Sequence, residues 1–450
     1  MPEIPLGQRP PGGRQEGQGL SRNTIFGLAS APGRAGLAVV RVSGPAAAGA
    51  IQALAGTPPP PRHAGLRRLC WKGATLDQAL VLWFPAPASF TGEDVAEFHV
   101  HGGRAVREAV FGAFAELGLR PAEAGEFSRR AVENGRLDLT RAEAIADLAE
   151  AETPAQLRQA LHQYDGALAA LYEDWRTRLL RALAHAEAAI DFSDDGVGEG
   201  EFAASRQLAK QIATEIQRHI DDSGRGEALR EGLRLAIVGP PNAGKSSLIN
   251  ALARRDVAIV SEIPGTTRDV IATRLNLGGY PVHVSDTAGL RETGDVIEAE
   301  GVRRARAEAQ ASHLTLLLLD GSDSNAQFPT GLKPDLIVWN KSDLASFRSR
   351  DGLCLSLKTG HGVPELLEAL KTLVAQRLES PSDSPALTRP RHRHALGEAL
   401  ASLHQAETAS QAELFAEDLR LAMRAIGRIT GAVDVEEILD SVFRDFCIGK

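Results

Sequence analysis

The amino-acid sequence predicts a multidomain protein with an α+β N-terminal domain, an all-α helical bundle and an α/β P-loop domain inserted into that bundle. Three observations lead to this prediction. A chain of 450 residues is too long for one hydrophobic core. Apolar runs and helix-like stretches alternate between residues 232 and 379. Sequence dominated by Ala, Leu, Glu and Arg lies on both sides of that part.

The N-terminal part divides at residue 22. Residues 1–22 are rich in Pro, Gly and Gln without an apolar segment, so we expect a disordered extension and not a signal or transit peptide. Residues 23–139 contain β-prone runs and a helix-like stretch, which is an α+β pattern. The runs are Leu37–Val42, Ala79–Phe84 and Ala96–Val100, and the helix-like stretch is Arg104–Leu117.

Residues 140–231 and 380–450 have the pattern of amphipathic helices, with apolar side chains three and four positions apart. The first segment carries Leu168, Leu171, Trp175, Leu179 and Leu183, and the second carries Leu396, Leu400, Leu403, Leu414 and Leu421. We expect these side chains to form the core of one bundle. The domain at residues 232–379 would then be an insertion with both of its ends anchored in the bundle.

A phosphate-binding motif opens the inserted domain. Residues 239–246 read Gly-Pro-Pro-Asn-Ala-Gly-Lys-Ser, the spacing of a P-loop, after the apolar run Leu233–Val238 and before a helix-like segment. The glycines allow backbone N–H groups to face phosphate oxygens, and the helix N-terminus adds a favourable dipole. Lys245 would then reach the outer phosphates, and the Ser246 hydroxyl would bind Mg²⁺.

Three further motifs follow in the order that a guanine-nucleotide site requires. Residues 265–269, Gly-Thr-Thr-Arg-Asp, supply a threonine for the Mg²⁺ shell, and residues 286–289, Asp-Thr-Ala-Gly, follow the strand-like stretch Tyr280–Ser285. Residues 340–343, Asn-Lys-Ser-Asp, follow the run Leu336–Trp339. The Asp343 carboxylate can accept from both N1–H and the exocyclic amine of guanine, which adenine does not offer on that edge. Together the motifs predict a Ras-like GTPase domain that binds GTP and GDP.

The full set of predicted nucleotide-binding residues covers the four motifs and one later segment. It consists of Asn242, Ala243, Gly244, Lys245, Ser246, Ser247, Ser261, Glu262, Ile263, Pro264, Gly265, Thr266, Thr267, Asp286, Thr287, Ala288, Gly289, Asn340, Lys341, Ser342, Asp343, Ser356, Leu357 and Lys358.

Two positions in this domain have two interpretations each. Leu290 stands where Ras-like GTPases place a water-orienting glutamine, so the catalytic group must lie elsewhere. Glu298 is a candidate, although acidic residues there are also typical of a solvated helix start. The Asn242 side chain could give an oxygen to a monovalent cation beside the phosphates, or Asn242 could serve only to adopt a left-handed backbone.

The chain resembles one family, MnmE (also called TrmE), whose members are potassium-activated GTPases that modify tRNA. The resemblance extends from about Asn23 to the C-terminus and includes motifs outside the GTPase domain. These are Pro-Gly-Arg (32–34), Arg-Val-Ser-Gly (41–44), Phe-Thr-Gly-Glu-Asp (90–94), His-Gly-Gly (101–103), Gly-Glu-Phe-Ser (125–128), Leu-Asp-Leu (137–139), Ala-Glu-Ala-Ile-Ala-Asp (142–147) and Phe-Cys-Ile-Gly-Lys (446–450).

The resemblance assigns roles by position in the GTPase domain. It implies that Glu298 is the catalytic glutamate, which favours the functional interpretation of that residue. It implies Mg²⁺ binding by Ser246 and Thr267. The implied potassium ligands are Asn242, Ser261, Ile263 and Thr266.

The resemblance also assigns the N-terminal domain and the C-terminal tail. It implies a homodimer built on residues 23–139 and a site for 5-formyl- or methylene-tetrahydrofolate at Arg41, Glu97, Arg136 and Lys450. Arg136 stands where a lysine is common in the family. From the residues alone, each of these charges would be a surface ion-pair residue. Cys447 is implied to be a reactive, catalytic thiol, whereas a prenylated cysteine or a small buried apolar residue are the other interpretations.

The implied activity is installation of an aminomethyl or carboxymethylaminomethyl group on the wobble uridine (U34) of certain tRNAs. The implied partner is an FAD-dependent protein of the MnmG type, in a heterotetramer. A GTPase switch for ribosome assembly is the competing class of function, and tetrahydrofolate binding would separate the two. A plain folate-dependent transferase would leave the guanine site unexplained.

Composition sets the remaining expectations. No run approaches the roughly 20 apolar residues of a membrane-spanning helix, so no membrane partner is expected. The three cysteines, Cys70, Cys354 and Cys447, lie far apart without zinc spacing, which is typical of a reducing cytoplasm. The formal net charge of −8 means that tRNA binding must use local basic patches or a partner.

Overall fold

A computed structural model of the chain describes residues 24–191, 198–222, 224–254, 257, 259, 273–285, 306–323, 333–348, 351–379, 385–433, 436–443, 446 and 449. The chain forms two compact units. The first consists of residues 1–137 and 439–450, and the second of residues 138–438. The domain boundaries within the second unit stay a prediction from the sequence.

The first unit is an α+β domain. Its elements are β1 (Ile25–Leu28), β2 (Leu37–Ser43), α1 (Ala47–Ala55), β3 (Gly65–Trp71), β4 (Ala74–Phe84), β5 (Val95–His101), α2 (Arg104–Glu116), β6 (Arg120–Pro121) and α3 (Glu126–Glu133). These described strands form a sheet of order β3-β4-β5-β2-β1-β6, with the β1–β6 pair parallel and the other pairs antiparallel.

The two faces of this sheet differ because side chains alternate along each strand. Val40, Val42 and Phe98 point to one face and pack with Ile51 of α1 and Phe114 of α2. The intervening residues point to the opposite face, and they include Arg41 and Glu97, two of the predicted folate residues. This face positions the first candidate site.

The tail of the chain belongs to the first unit. Asp440 accepts a 2.7 Å ion pair from Arg129 of α3, and the rings of Phe443 and Phe446 lie 4.9 Å apart. Gly449 lies so close to the carbonyl oxygen of Leu28 that a Cβ there would collide with it. The C-terminal segment therefore packs against β1 and α3.

The helices of the second unit form a bundle. Outside the inserted part they are α4 (Leu139–Glu150), α5 (Pro154–Tyr164), α6 (Ala167–Asp191), α7 (Gly198–Ile220), α8 (Arg225–Glu231), α11 (Pro390–Thr408) and α12 (Ala412–Thr430). Helix α13 (Glu436–Phe443) spans the boundary between the two units. Helices α9 (Lys245–Ala253) and α10 (Val363–Leu378) lie in the inserted part. The bundle core joins α6, α7, α11 and α12.

Most of the side chains predicted for the bundle core are buried, but the prediction is wrong for two leucines. Leu168, Leu171, Trp175, Leu179 and Leu183 pack in the core with Leu396, Leu400 and Leu403. Leu414 and Leu421 are instead 57% and 44% exposed. The helix breaks at residues 409–411, so α12 begins a new register and buries Phe415, Leu419, Ala422 and Ile426.

The inserted part is a mainly parallel sheet with helices. Its elements are β7 (Leu233–Val238), α9 (Lys245–Ala253), β8 (Thr273–Leu277), β9 (Tyr280–Ser285), β10 (Leu314–Asp320), β11 (Leu336–Asn340), β12 (Leu353–Cys354) and α10 (Val363–Leu378), and residues 306–311 are also helical. Among the described strands the order is β12-β11-β10-β7-β9-β8, with the β8–β9 pair antiparallel and the other pairs parallel.

Two segments of the chain, called the crossings here, join the bundle to the inserted part, one before β7 and one before α11. They lie side by side, and both form ion pairs with α4. The Asp147 carboxylate of α4 accepts from Arg230 at 3.2 Å, just before β7. The same carboxylate accepts from Arg389 at 2.5 Å, just before α11. Arg225 donates to the carbonyl oxygen of Glu379 at 3.1 Å, which joins the two crossings to each other. Among the described residues, no helix has the length and apolarity to cross a membrane.

Candidate functional site

The predicted motifs meet at one edge of the second sheet. Strands β7, β10 and β11 are parallel neighbours, so their carboxyl ends lie together. The P-loop follows β7, Asp320 ends β10, and the Asn-Lys-Ser-Asp segment starts at the end of β11. Ligands of open α/β sheets bind at this edge. The fold therefore brings the P-loop and the predicted base-reading segment into one site.

The backbone of the P-loop requires its glycines. Gly239 has a φ of 156° and a Cβ there would collide with the carbonyl oxygen of Leu318 in β10. Gly244 has a φ of 105° and lies against the Asn340 side chain. Asn242 has a φ of 62°, so the left-handed backbone considered for this residue is present. Its potassium role stays a prediction.

Lys245 begins α9, and its ammonium caps the loop. The Nζ atom donates to the carbonyl oxygens of Gly239 and Pro240 at 2.8 and 2.9 Å. Ala243 is buried, whereas Ser246 and Ser247 are exposed in the first turn of the helix. The helix N-terminus and the ammonium place positive charge where phosphate oxygens would lie. The exposed Ser246 hydroxyl fits a magnesium ligand in its position and chemistry.

Asn340 joins the P-loop to the other loops of the site. Its Nδ2 atom donates to the carbonyl oxygen of Ala243 at 2.8 Å. Its Oδ1 atom accepts from the backbone N–H groups of Lys341 at 2.7 Å and Leu357 at 3.1 Å. Asn340 is buried, and its bonds to Ala243 and Leu357 reach two other loops of the site, so it fixes their relative positions.

The Asp343 carboxylate is exposed and held by the segment after β12. The buried Ser356 hydroxyl donates to its Oδ1 atom at 2.7 Å, while Thr359 N–H donates to the Ser356 oxygen at 3.2 Å. This hydrogen bond from Ser356 is the main cause that lowers the pKa of Asp343, and the Lys358 charge adds to it. Asp343 therefore stays ionised, as an acceptor of two donors must. Ser342 is tied by its N–H to the carbonyl oxygen of Leu355 at 3.0 Å.

One residue of this edge was missed in the sequence. Asp320 pairs with Lys341, with 2.5 Å between Oδ2 and Nζ. Burial alone would raise the pKa of Asp320, but hydrogen bonds from Lys341 and Ser322 outweigh it and lower that pKa. The signal available in the sequence was an aspartate that closes the apolar run Leu314–Leu319.

Several predicted residues lie outside the described part of the chain. They are Ser261, Glu262, Ile263, Pro264, Gly265, Thr266, Thr267, Asp286, Thr287, Ala288, Gly289, Glu298, Cys447 and Lys450. Strand β9 runs parallel to β7 and ends at Ser285, so its carboxyl end is at the same edge. Within the described ranges, no group of three or more His, Cys, Asp or Glu side chains is placed to hold a metal ion.

The first unit brings two of the predicted folate residues together. Arg41 of β2 lies opposite Glu97 of β5, and the guanidinium Nη2 is 2.9 Å from the carboxylate Oε1. The guanidinium also lies 5.1 Å from the ring centre of Phe90. Arg136 is exposed, with its stem beside Gly92. On the other side of Arg41, strand β1 carries Gly27, which faces the backbone of Gly449.

The second sheet and its loops define a P-loop GTPase: a phosphate-binding loop and a carboxylate suited to guanine share one edge, joined by Asn340. Two family descriptions match the chain. "GTP-binding protein TrmE N-terminus" matches residues 24–136, and "MnmE helical domain" matches residues 139–447. The chain belongs to the MnmE family.

Individual relatives agree with this assignment. The chain is 55% identical to "tRNA modification GTPase MnmE" of Rhodospirillum rubrum, over 96% of this chain and 100% of that protein. It is 54% identical to the protein of the same name from Paramagnetospirillum magneticum, over 95% of this chain and 99% of that protein. The solved G domain of the T. maritima FeoB iron transporter is 22% identical over 33% of this chain and 99% of its own, with a TM-score of 0.23.

Proposed function

We propose that the chain is a GTPase of tRNA modification. In the full proposal it acts with an FAD-dependent partner of the MnmG type on the wobble uridine (U34) of certain tRNAs, where an aminomethyl or carboxymethylaminomethyl group is installed from a folate one-carbon unit. The GTPase activity is proposed because the P-loop and Asp343 lie at the same edge of the second sheet. Membership of a family whose relatives are named tRNA modification GTPases supports the tRNA substrate.

Different residues of the nucleotide site bind different parts of GTP. The P-loop N–H groups and Lys245 bind the phosphates, and Asp343 binds the base. Mg²⁺ held by Ser246 and Thr267 would neutralise phosphate charge. Hydrolysis would move the inserted part, and the Asp147 pairs at both crossings offer a direct connection to the bundle.

The first unit supports the folate and dimer parts of the proposal. A guanidinium suits the carboxylates of a folate glutamate tail, a carboxylate suits pterin N–H donors, and Arg41 and Glu97 supply both on one face. Phe90 adds an aromatic surface beside them. The same face carries Leu37, Leu66 and Leu80, which are exposed, and an exposed apolar sheet face favours pairing with a second copy. We place the activity in the cytoplasm.

The potassium role of Asn242 gives a separate prediction. If its side chain binds K⁺ beside the phosphates, hydrolysis should be about 10-fold faster in potassium than in sodium at equal ionic strength, because a fixed cation stabilises transition-state charge. Asn242→Ala should remove this preference for potassium, while the backbone of the P-loop should still bind GDP. Measured single-turnover rates that are equal in the two salts for the wild-type protein would contradict the potassium role.

Deletion and complementation test the tRNA function. In cells that lack this chain, mass analysis of digested tRNA should show the wobble uridine without its C5 aminomethyl-type group. The wild-type chain should restore the group, and Lys245→Ala should not, because it removes the phosphate-binding ammonium. Glu365→Gln, an exposed position in the first turn of α10, is the matched control and should restore it fully. Unchanged wobble uridine in the deletion strain would rule the function out.

A further inference from the structure

The loop that carries Asp343 contains an unusual backbone residue. Lys341 has a φ of 69°, a left-handed conformation that non-glycine residues with long side chains rarely adopt. Such a conformation persists only where surrounding contacts hold it. Its backbone N–H is bound by Asn340 Oδ1 at 2.7 Å, which fixes the start of the loop. The side chain of Lys341 must be fixed by something else.

Asp320 supplies that contact. Its Oδ2 atom lies 2.5 Å from Lys341 Nζ, and the side chains are 19% and 34% exposed, so the pair is partly shielded from solvent. The other oxygen of Asp320 is occupied by Ser322, whose N–H and hydroxyl donate to Oδ1 at 2.9 and 2.6 Å. The carboxylate is therefore oriented from one side and presents its second oxygen to the lysine.

The backbone around Asp320 is also fixed. Asp320 is in register with Asn340 across the β10–β11 pair, and Gly321 N–H donates to the carbonyl oxygen of Asn340 at 2.9 Å. A side chain on Gly321 would collide with the ring of Phe347, which lies beyond the loop. Asp320 thus stands on a rigid strand end beside the loop it contacts. Sequence motifs for guanine binding do not include it.

We propose that Asp320 is a positioning residue for base recognition. By holding the Lys341 ammonium, it stabilises the left-handed loop conformation that presents Asp343 to guanine before the nucleotide arrives. Preorganisation of this kind raises affinity without new contacts to the ligand. The proposal rests on the guanine-nucleotide site described above, and it adds a residue that need not touch the nucleotide.

The main test is nucleotide affinity of Asp320→Asn in the full chain. The isosteric amide loses the charge, and we expect Kd values for fluorescent GDP and GTP analogues to rise together by about 5- to 10-fold. The kcat at saturating GTP should stay within about twofold, because the phosphate end is untouched. Glu365→Gln is the control for loss of one negative charge and should bind as the wild type does.

Base selectivity separates positioning from general damage. Inosine diphosphate lacks the exocyclic amine that Asp343 reads, so a loosened loop should lower the preference for GDP over inosine diphosphate. A variant that is merely less stable would keep that ratio. If Asp320→Asn does not fold, as judged by its thermal melt, Lys341→Met removes the same pair from the other side and should show the same fall in selectivity.

A double-mutant cycle tests whether Asp320 affects nucleotide affinity through Lys341. Asp320→Asn should cost little further affinity in a Lys341→Met background, because the residue acts through the ammonium. An equal loss in both backgrounds, or wild-type affinity of Asp320→Asn, would overturn the proposal. Absence of GDP binding by the wild-type protein would instead contradict the proposed function, so the two failures are distinct.

Discussion

Asp343→Asn should weaken GTP binding by about 100-fold and give the protein measurable affinity for xanthosine triphosphate. The carboxylate accepts from two donors of guanine, whereas an amide has one accepting oxygen and turns a donor toward the exocyclic amine. Loss of one charged hydrogen bond together with a donor–donor clash costs roughly 3 kcal/mol or more, which corresponds to that factor. Xanthine carries an oxygen at the same position, so the amide matches it.

Titration with fluorescent guanine and xanthine nucleotides measures this exchange. Ser356→Ala is an informative companion, because it removes the hydroxyl that donates to Asp343 at 2.7 Å without changing the base-reading group. It should lower affinity for guanine modestly and should not create xanthine binding. Glu365→Gln again controls for charge. If Asp343→Asn binds GTP as tightly as the wild-type protein, Asp343 does not read the base.

Glu298→Ala should cut GTP hydrolysis by about 100-fold while GTP affinity stays within a few-fold. Leu290 cannot orient water, and the family resemblance implies Glu298 as the catalytic residue. A contact that exists mainly in the transition state contributes to the rate and hardly to binding, and removal of one such interaction typically costs about 100-fold or more.

Single-turnover hydrolysis in potassium buffer is the relevant measurement. Glu292→Ala and Glu300→Ala are matched controls, since they remove neighbouring carboxylates in the same segment. Both should hydrolyse GTP at nearly the wild-type rate. A wild-type rate for Glu298→Ala would make that residue part of an ordinary acidic helix start.

Buried parallel strands were the easiest elements to predict. Strands β7 and β9 have the bounds of the strand-like stretches Leu233–Val238 and Tyr280–Ser285, because buried strands are rich in apolar residues such as Leu, Ile and Val. Strand β3 and helix α1 were not predicted. The sequence of β3, Gly65–Trp71, alternates weakly and contains two arginines, so it has no clear period. Leu414 and Leu421 were misplaced because a three-residue break changed the helix register.

In the candidate site, contiguous motifs could be predicted from the sequence, whereas contacts between distant residues could not. The P-loop and Asp343 were predicted because each motif is contiguous and follows an apolar strand. The pairing of Asp320 with Lys341 joins residues 21 positions apart through strand register, which no local pattern contains. Arg41 and Glu97 were named separately, but their direct ion pair depends on the register of β2 with β5.

The adjacent crossings at Arg225 and Glu379 also constrain the order in which the chain can fold. The bundle core must bring α7 together with α11, although the whole inserted part separates them in the chain. Closing so long an open loop carries an entropy cost that grows with the logarithm of its length. Once the inserted sheet has formed, its two ends lie within one hydrogen bond of each other, and the same closure becomes equivalent to that of a short turn. We therefore expect the inserted part to form first and to act as the nucleus on which the two halves of the bundle assemble.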